Sequence, residues 1–173
     1  MASLGYRVGN SAFYGAWKSG MIAGCEETDA CGTHTDSSVS GQVVSVLKGD
    51  SIEVLHHQQA ERIRLNGIDC PEKGQAYGKH AKHAASAIAF RKEVTIQTHG
   101  KDKYTRIIGG VILEDGTNVN HTLVKDGWCW WYRKYAPEDT ALKGLEREAR
   151  DGRQGLWADP QPVPPWEWRM GSR

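Results

Sequence analysis

Five charged residues in three short clusters carry the chemistry that this sequence can offer. Asp50 stands in Lys48-Gly49-Asp50-Ser51, and Arg64, Asp69 and Glu72 stand in Arg64-Leu65-Asn66-Gly67-Ile68-Asp69-Cys70-Pro71-Glu72. Arg106 closes the run Asp102-Lys103-Tyr104-Thr105-Arg106. Three carboxylates offer the oxygen donors that calcium or magnesium prefers. Two guanidiniums offer planar forks that match phosphate oxygens and keep their protons. Brought together, the five could hold a hard cation beside a phosphodiester. Hydrolysis of such a diester needs a poised nucleophile and compensation for the charge that builds on the phosphorus oxygens.

The elements that must position these residues are legible as short periodic runs. Residues 42–47, 51–56 and 62–66 are rich in β-type residues. In the third run Ile63 and Leu65 alternate with Arg62 and Arg64, so one face can enter a core while the arginines face a groove. Apolar residues Ala81, Ala84, Ala85, Ile88 and Ala89 recur at helical spacing and predict an amphipathic helix over 78–90, with His80, Lys82 and Arg91 outside. Strands are predicted again at 93–98 and 106–113. A short helix is predicted over 118–126, capped by Asn118 or Thr117 and ended by Gly127. A third helix is predicted over 137–151, supported by Asp139/Lys143 and Glu146/Arg150 pairs. Five strands with a helix between the third and fourth is the element order of a small OB-type barrel. The fold class read here is mainly β with α, a five-stranded barrel with about three helices.

Three segments are expected along the 173 residues: a poorly ordered leader over 1–38, a folded domain over 39–158, and a Pro/Trp-rich tail over 159–173 that runs as an extended strap pinned by Trp166 and Trp168. The formal charge is +1. The leader holds two basic and four acidic residues, which leaves 20 basic and 17 acidic side chains for the rest. So mild an excess does not announce a nucleic-acid protein by itself; local arrangement has to carry that reading. No run approaches the ~18 apolar residues of a membrane span. Polar residues and glycines interrupt the leader, so no convincing signal peptide is seen, although Ile22-Ala23-Gly24-Cys25 has the form of a lipoprotein cleavage box. The four cysteines make no Cys-x-x-Cys pair and do not read as zinc ligands. A Cys25 to Cys31 disulfide would suit an oxidising compartment, whereas Cys70 and Cys129 are expected to be small apolar residues. Asn120-His121-Thr122 fits a glycosylation pattern, but an unmodified helix residue is the expectation.

The ordered set of Asp50, Arg64 with Asp69 and Glu72, Arg106, and Gly155-Leu156-Trp157 near the end of a last helix resembles the staphylococcal nuclease family, over about residues 40–157. That resemblance implies an OB-fold nuclease that hydrolyses DNA and RNA with low sequence specificity, leaving 3′-phosphate and 5′-hydroxyl ends. It implies Ca2+ as the cofactor, bound by Asp50, Asp69 and the backbone carbonyl of Cys70. Glu72 would orient or deprotonate the attacking water, and Arg64 and Arg106 would grip phosphate oxygens. Lys103 and Tyr104 match positions that meet the nucleotide, and Tyr132 and Tyr135 fall where a base is stacked. Stacking beside cations suits single-stranded substrates. No stable protein partner is expected, a monomer is, and the family suggests a secreted or periplasmic location.

Other features read as structural. Trp128, Trp130 and Trp131 are expected to pack between barrel and last helix. His80 and His83 are expected to be exposed rather than metal-bound. Three positions depart from the family pattern. Lys48 stands where an acid is usual, which predicts weaker calcium binding, and Thr105 stands where glycine precedes the arginine, a place where positive φ would strain a β-branched residue. Arg91 likewise replaces a common glycine. These departures leave an alternative function, an OB-fold nucleic-acid-binding module with impaired hydrolysis. A tethered cell-surface protein whose barrel binds a partner would rest on the Cys25 box alone.

Overall fold

The structure, a computed structural model, describes residues 38–171; the leader, including Cys25 and Cys31, lies outside them. Five strands form a closed barrel in the order β1 (Val39–Lys48), β2 (Ser51–His56), β3 (Gln59–Leu65), β6 (Ile107–Leu113) and β5 (Glu93–Lys101). Two antiparallel hairpins, β1 with β2 and β2 with β3, lead into one parallel pairing in which Ile63 stands opposite Ile107 and Arg64 opposite Ile108. Strand β5 then pairs with β6 and returns to β1, so no edge of the barrel is left open. Val43, Ile52, Val54, Ile63, Leu65, Ile96 and Val111 point inward and are essentially fully buried. The alternation read in β3 holds: Ile63 and Leu65 are buried, Arg62 is exposed and Arg64 half-buried.

Between β3 and β5 runs α1 (Gly78–Ala89), whose Ala81, Ala85 and Ala89 meet the core while His80, Lys82 and His83 are exposed. Helix α2 (Val119–Lys125) is capped by the Asn118 side chain, which accepts from the His121 N–H. Its Asn120 is only 3% exposed. Asn120 donates to the Asn66 carbonyl at 2.9 Å and accepts from the Val111 N–H at 3.1 Å, so it is a barrel tie, as an unmodified residue must be. Helix α3 (Thr140–Asp151) begins later than the sequence suggests, because Asp139 turns its carboxylate to the Leu142 N–H as a cap. The Glu146/Arg150 pair forms, at 3.4 Å.

Three features correct the sequence reading. Short strands β4 (Ile68–Asp69) and β7 (Trp130–Trp131) pair with each other, and at two residues apiece they leave no periodic signal. Cys70 and Cys129, expected to be small apolar residues, are joined in a disulfide beside that pairing. The tail is not extended throughout: after a 3₁₀ turn (Gly155–Ala158) and a proline-rich strap, it ends in α4 (Pro165–Gly171), with Pro165 at the first helical position where its missing N–H costs nothing. Trp130 and Trp131 are buried packing residues, as expected, and Trp128 is partly buried. Among the described residues no helix is long and apolar enough to cross a membrane.

Candidate active site

Close backbone approach brings the two acidic segments together. Gly49, in the turn between β1 and β2, lies against Cys70, and a Cβ there would come within 2.8 Å of the Cys70 Cβ. That approach lets the Cys70 N–H donate to Asp50 Oδ2 at 3.0 Å, while the Ser51 hydroxyl donates to Asp50 Oδ1 at 3.0 Å. Gly78 plays the matching part at the other end of the loop, since any side chain there would collide with the Glu72 carbonyl. The Glu72 N–H donates to Gln75 Oε1 at 3.0 Å, which closes the turn and holds its carboxylate toward Asp69 and Asp50.

Arg64 reaches out from β3 into this cluster. One of its nitrogens lies 2.8 Å from Asp50 Oδ2 and the other 3.1 Å from Asp69 Oδ1. Lys48 approaches from the side, 3.0 Å from Glu72 Oε1 and 3.5 Å from Asp50 Oδ1. A cation that the sequence reading missed completes the set. Arg169 of α4 lies 2.7 Å from Asp69 Oδ2 and 2.8 Å from Glu72 Oε1. Lys48, Arg64 and Arg169 thus balance Asp50, Asp69 and Glu72 charge for charge.

Burial and charge compete at each acid. Both Asp50 and Asp69 side chains are fully buried. Burial pushes Asp50 up, but Arg64 and Lys48, with the Cys70 N–H and Ser51 hydroxyl, bring it below the usual carboxylate range. At Asp69 burial wins: its carboxyl is pushed up, with the Asp50 charge adding to the effect and Arg169 and Arg64 opposing it. Burial also raises Glu72, yet hydrogen bonding to Arg169 and the charge of Lys48 leave it below its ordinary value.

Next to the acids runs a groove of about 580 Å³ lined by Arg64, Asp102, Lys103, Tyr104, Arg106, Tyr132 and Tyr135 among others. Both arginines and all four expected substrate contacts therefore share one surface. Arg106 is tethered: its Nη2 lies 2.6 Å from Asp102 Oδ2, and its own N–H donates to Asp102 Oδ1 at 3.0 Å. Tyr104 is 65% exposed, with Lys103 and Arg106 near its ring, and Tyr132 meets Tyr135 edge-on at 5.0 Å. Thr105 and Arg91, the two residues standing where glycine is common, both adopt left-handed backbone, with φ of 64° and 62°.

The sequence over residues 62–159 matches the family described as "Staphylococcal nuclease homologue". The chain belongs to the staphylococcal nuclease family. Among relatives, an Escherichia coli protein named "Uncharacterized endonuclease" is 44% identical over 133 residues, covering 77% of this chain and 86% of its own. A Shigella flexneri "Micrococcal nuclease" is 40% identical over 142 residues, covering 77% and 82%. An Escherichia coli "Protein ParB" is 39% identical over 145 residues, covering 79% and 82%. The closed barrel with its helices is the fold that this family implies.

By donor type the cluster fits a hard divalent ion, since Asp50 and Asp69 are carboxylates and the Cys70 carbonyl is an oxygen donor. By arrangement it does not stand ready for one. Among the described residues no group of three or more histidine, cysteine or acidic side chains is disposed around a common metal position. The oxygens of Asp69 and Glu72 face Arg169, and those of Asp50 face Arg64 and Lys48. Arg169 left no local signal, because it lies 100 residues from Asp69 in a segment read as an extended strap.

Proposed function

We propose that this protein is a calcium-dependent phosphodiesterase that cleaves DNA and RNA with little sequence specificity, prefers single strands, and leaves 3′-phosphate and 5′-hydroxyl ends. The observation that carries this reading is the convergence of Asp50 and Asp69 on Arg64, with Glu72 joined to the same cluster through Lys48 and Arg169, beside a groove that also holds Arg106 and three exposed or half-exposed tyrosines. Phosphate contacts of this kind carry no base information, and nothing in the groove is a helix that could enter a major groove.

In this reading Asp50, Asp69 and the Cys70 carbonyl would hold the calcium ion, which when bound would supply Lewis-acid polarisation of a phosphate oxygen. Arg64 and Arg106 grip nonbridging oxygens, and their forks favour the charge-rich transition state over the ground state. Asp102 holds Arg106 at the groove wall. Glu72 orients the attacking water or takes its proton; its carboxyl is ionised at neutral pH, and the cations that lower it also weaken it as a base. Lys103 meets phosphate, and Tyr104, Tyr132 and Tyr135 offer ring faces to unpaired bases. The disulfide between Cys70 and Cys129 accords with a secreted or periplasmic location, where such bonds persist.

The test is cleavage of a labelled single-stranded oligonucleotide across a calcium series, with Glu72→Gln as the control. A loss of about a hundredfold or more in the variant is the expected worth of a positioned acid or base. Cleavage that is indifferent to both chelator and Glu72→Gln would refute the assignment. Retardation of intact strands with and without calcium would instead favour a binding module without hydrolysis.

A further inference from the structure

Two side chains of α4 lie on the two parts of the candidate site. Arg169 places one nitrogen 2.7 Å from Asp69 and the other 2.8 Å from Glu72. One turn earlier, Trp166 stacks on Tyr132 with ring centroids 5.4 Å apart and planes 8° from parallel, an offset-stacked pair. Tyr132 also lines the groove that contains Arg64, Tyr104 and Arg106. The helix thus sets a cation among the acids and an aromatic ring on a stacking platform.

We propose that α4 is an autoinhibitory clasp: Arg169 takes the place between Asp69 and Glu72 that a divalent ion and the attacking water need, and Trp166 covers Tyr132, so that cation and single-stranded nucleic acid bind only as α4 lifts. This rests on the nuclease reading above. Electrostatics makes the exchange competitive. With Arg169 docked the cluster of six charged side chains is neutral, so an arriving dication gains little and is repelled by three cations. With Arg169 gone the acids are in excess, and the site becomes attractive to the ion.

The attachment of α4 is also of the reversible kind. At seven residues it is too short to persist as a helix by itself. It hangs from a strap containing Pro160, Pro162 and Pro164, and it is held by the Val163 carbonyl accepting from Gln75 Nε2 at 2.6 Å, by Trp166 against Tyr132 and Trp130, and by Arg169. Met170 is 68% and Trp168 37% exposed, so among the described residues the outer side of the helix faces solvent. Gln75 Oε1 at the same time accepts from the Glu72 N–H, so release of the strap is felt at Glu72. A ligand that binds only the lifted form shifts the population toward it by mass action.

Calorimetric titration of the full chain and of Arg169→Ala with calcium, in the absence of nucleic acid, tests the clasp. The variant should bind calcium at least tenfold more tightly. Hydrogen exchange on the unaltered protein provides a second reading that does not depend on the variant folding: saturating calcium should raise exchange of the α4 amides while those of β2 and β3 stay protected. Equal calcium affinities, or α4 protection unmoved by bound calcium, would overturn the clasp and leave the nuclease reading standing. Absence of calcium binding to either protein would overturn both. If calcium affinity is unchanged and a separate titration shows that the variant binds a thymidine oligonucleotide more weakly, Arg169 is a phosphate contact and the clasp is likewise overturned.

Discussion

The Cys70 N–H donates to Asp50 Oδ2 at 3.0 Å, joining turns that lie 20 residues apart in the chain. The same residue is bonded to Cys129 across a separation of 59 residues, so the loop that carries Asp69 and Glu72 is pinned from both sides. Restricting a loop of that size in the unfolded chain stabilises the fold by about 2–4 kcal/mol. Cys70→Ser with Cys129→Ser should therefore lower the unfolding free energy by that amount in urea titrations and lower cleavage as well, because the acids lose their common anchor. Full activity in the double variant would show that the Cys70 N–H bond suffices to align the site.

Lys48 stands within 3.5 Å of both Asp50 and Glu72. An ammonium in that position repels an incoming dication, although its flexible stem can retreat toward water. Lys48→Asp should lower the calcium concentration needed for half-maximal cleavage by about tenfold. An unchanged requirement would remove Lys48 from the account of metal affinity.

Thr105 adopts φ of 64°, a conformation that costs a β-branched residue on the order of 1–2 kcal/mol. Glycine relieves that strain and gives part of it back as chain entropy, about 0.5–1 kcal/mol. Thr105→Gly should raise stability by up to about 1 kcal/mol. Because it relaxes the turn that feeds Arg106, it should raise kcat more than it changes KM. Steady-state kinetics with no gain in kcat would mean that the turn already places Arg106 correctly.

Burial nudges the Asp102 carboxyl up, but hydrogen bonds from the Arg106 side chain and from the N–H groups of Arg106 and Tyr104 carry it below its ordinary value of 3.8. A carboxyl depressed on folding contributes stability that is fully present above its unfolded value and lost as pH falls through the folded one. Asp102→Asn should thus be less stable than the unaltered protein by about 1 kcal/mol at pH 7. That gap should narrow steadily once pH drops below 3.8, as urea unfolding at a series of pH values would show.

The barrel was legible because its strands announce themselves locally: Ile63 and Leu65 alternate with Arg62 and Arg64, and the helical spacing of Ala81, Ala85 and Ala89 is unbroken. The acids and Arg64 were legible because four of the five charged positions fall within two short clusters of sequence. What the sequence concealed is non-local. Two-residue strands have no period, and the partner of a cysteine cannot be read from spacing. Arg169 meets Asp69 across 100 residues of chain. Four prolines near residue 160 suggested an extended tail, but the last of them begins a helix instead of forbidding one.

Among the described residues the seam between β3 and β6 is the one parallel contact in the barrel, matching Ile63 with Ile107. Hairpins on either side pair neighbours in the chain, whereas this junction, like the β1–β5 pairing, joins strands with α1 between them. The two guanidiniums that define the groove sit at this junction, Arg64 on one lip and Arg106 just before the other. Local opening there would part them while leaving both hairpins intact, so the shape of the groove depends on a long-range seam of the barrel rather than on the bulk of the core.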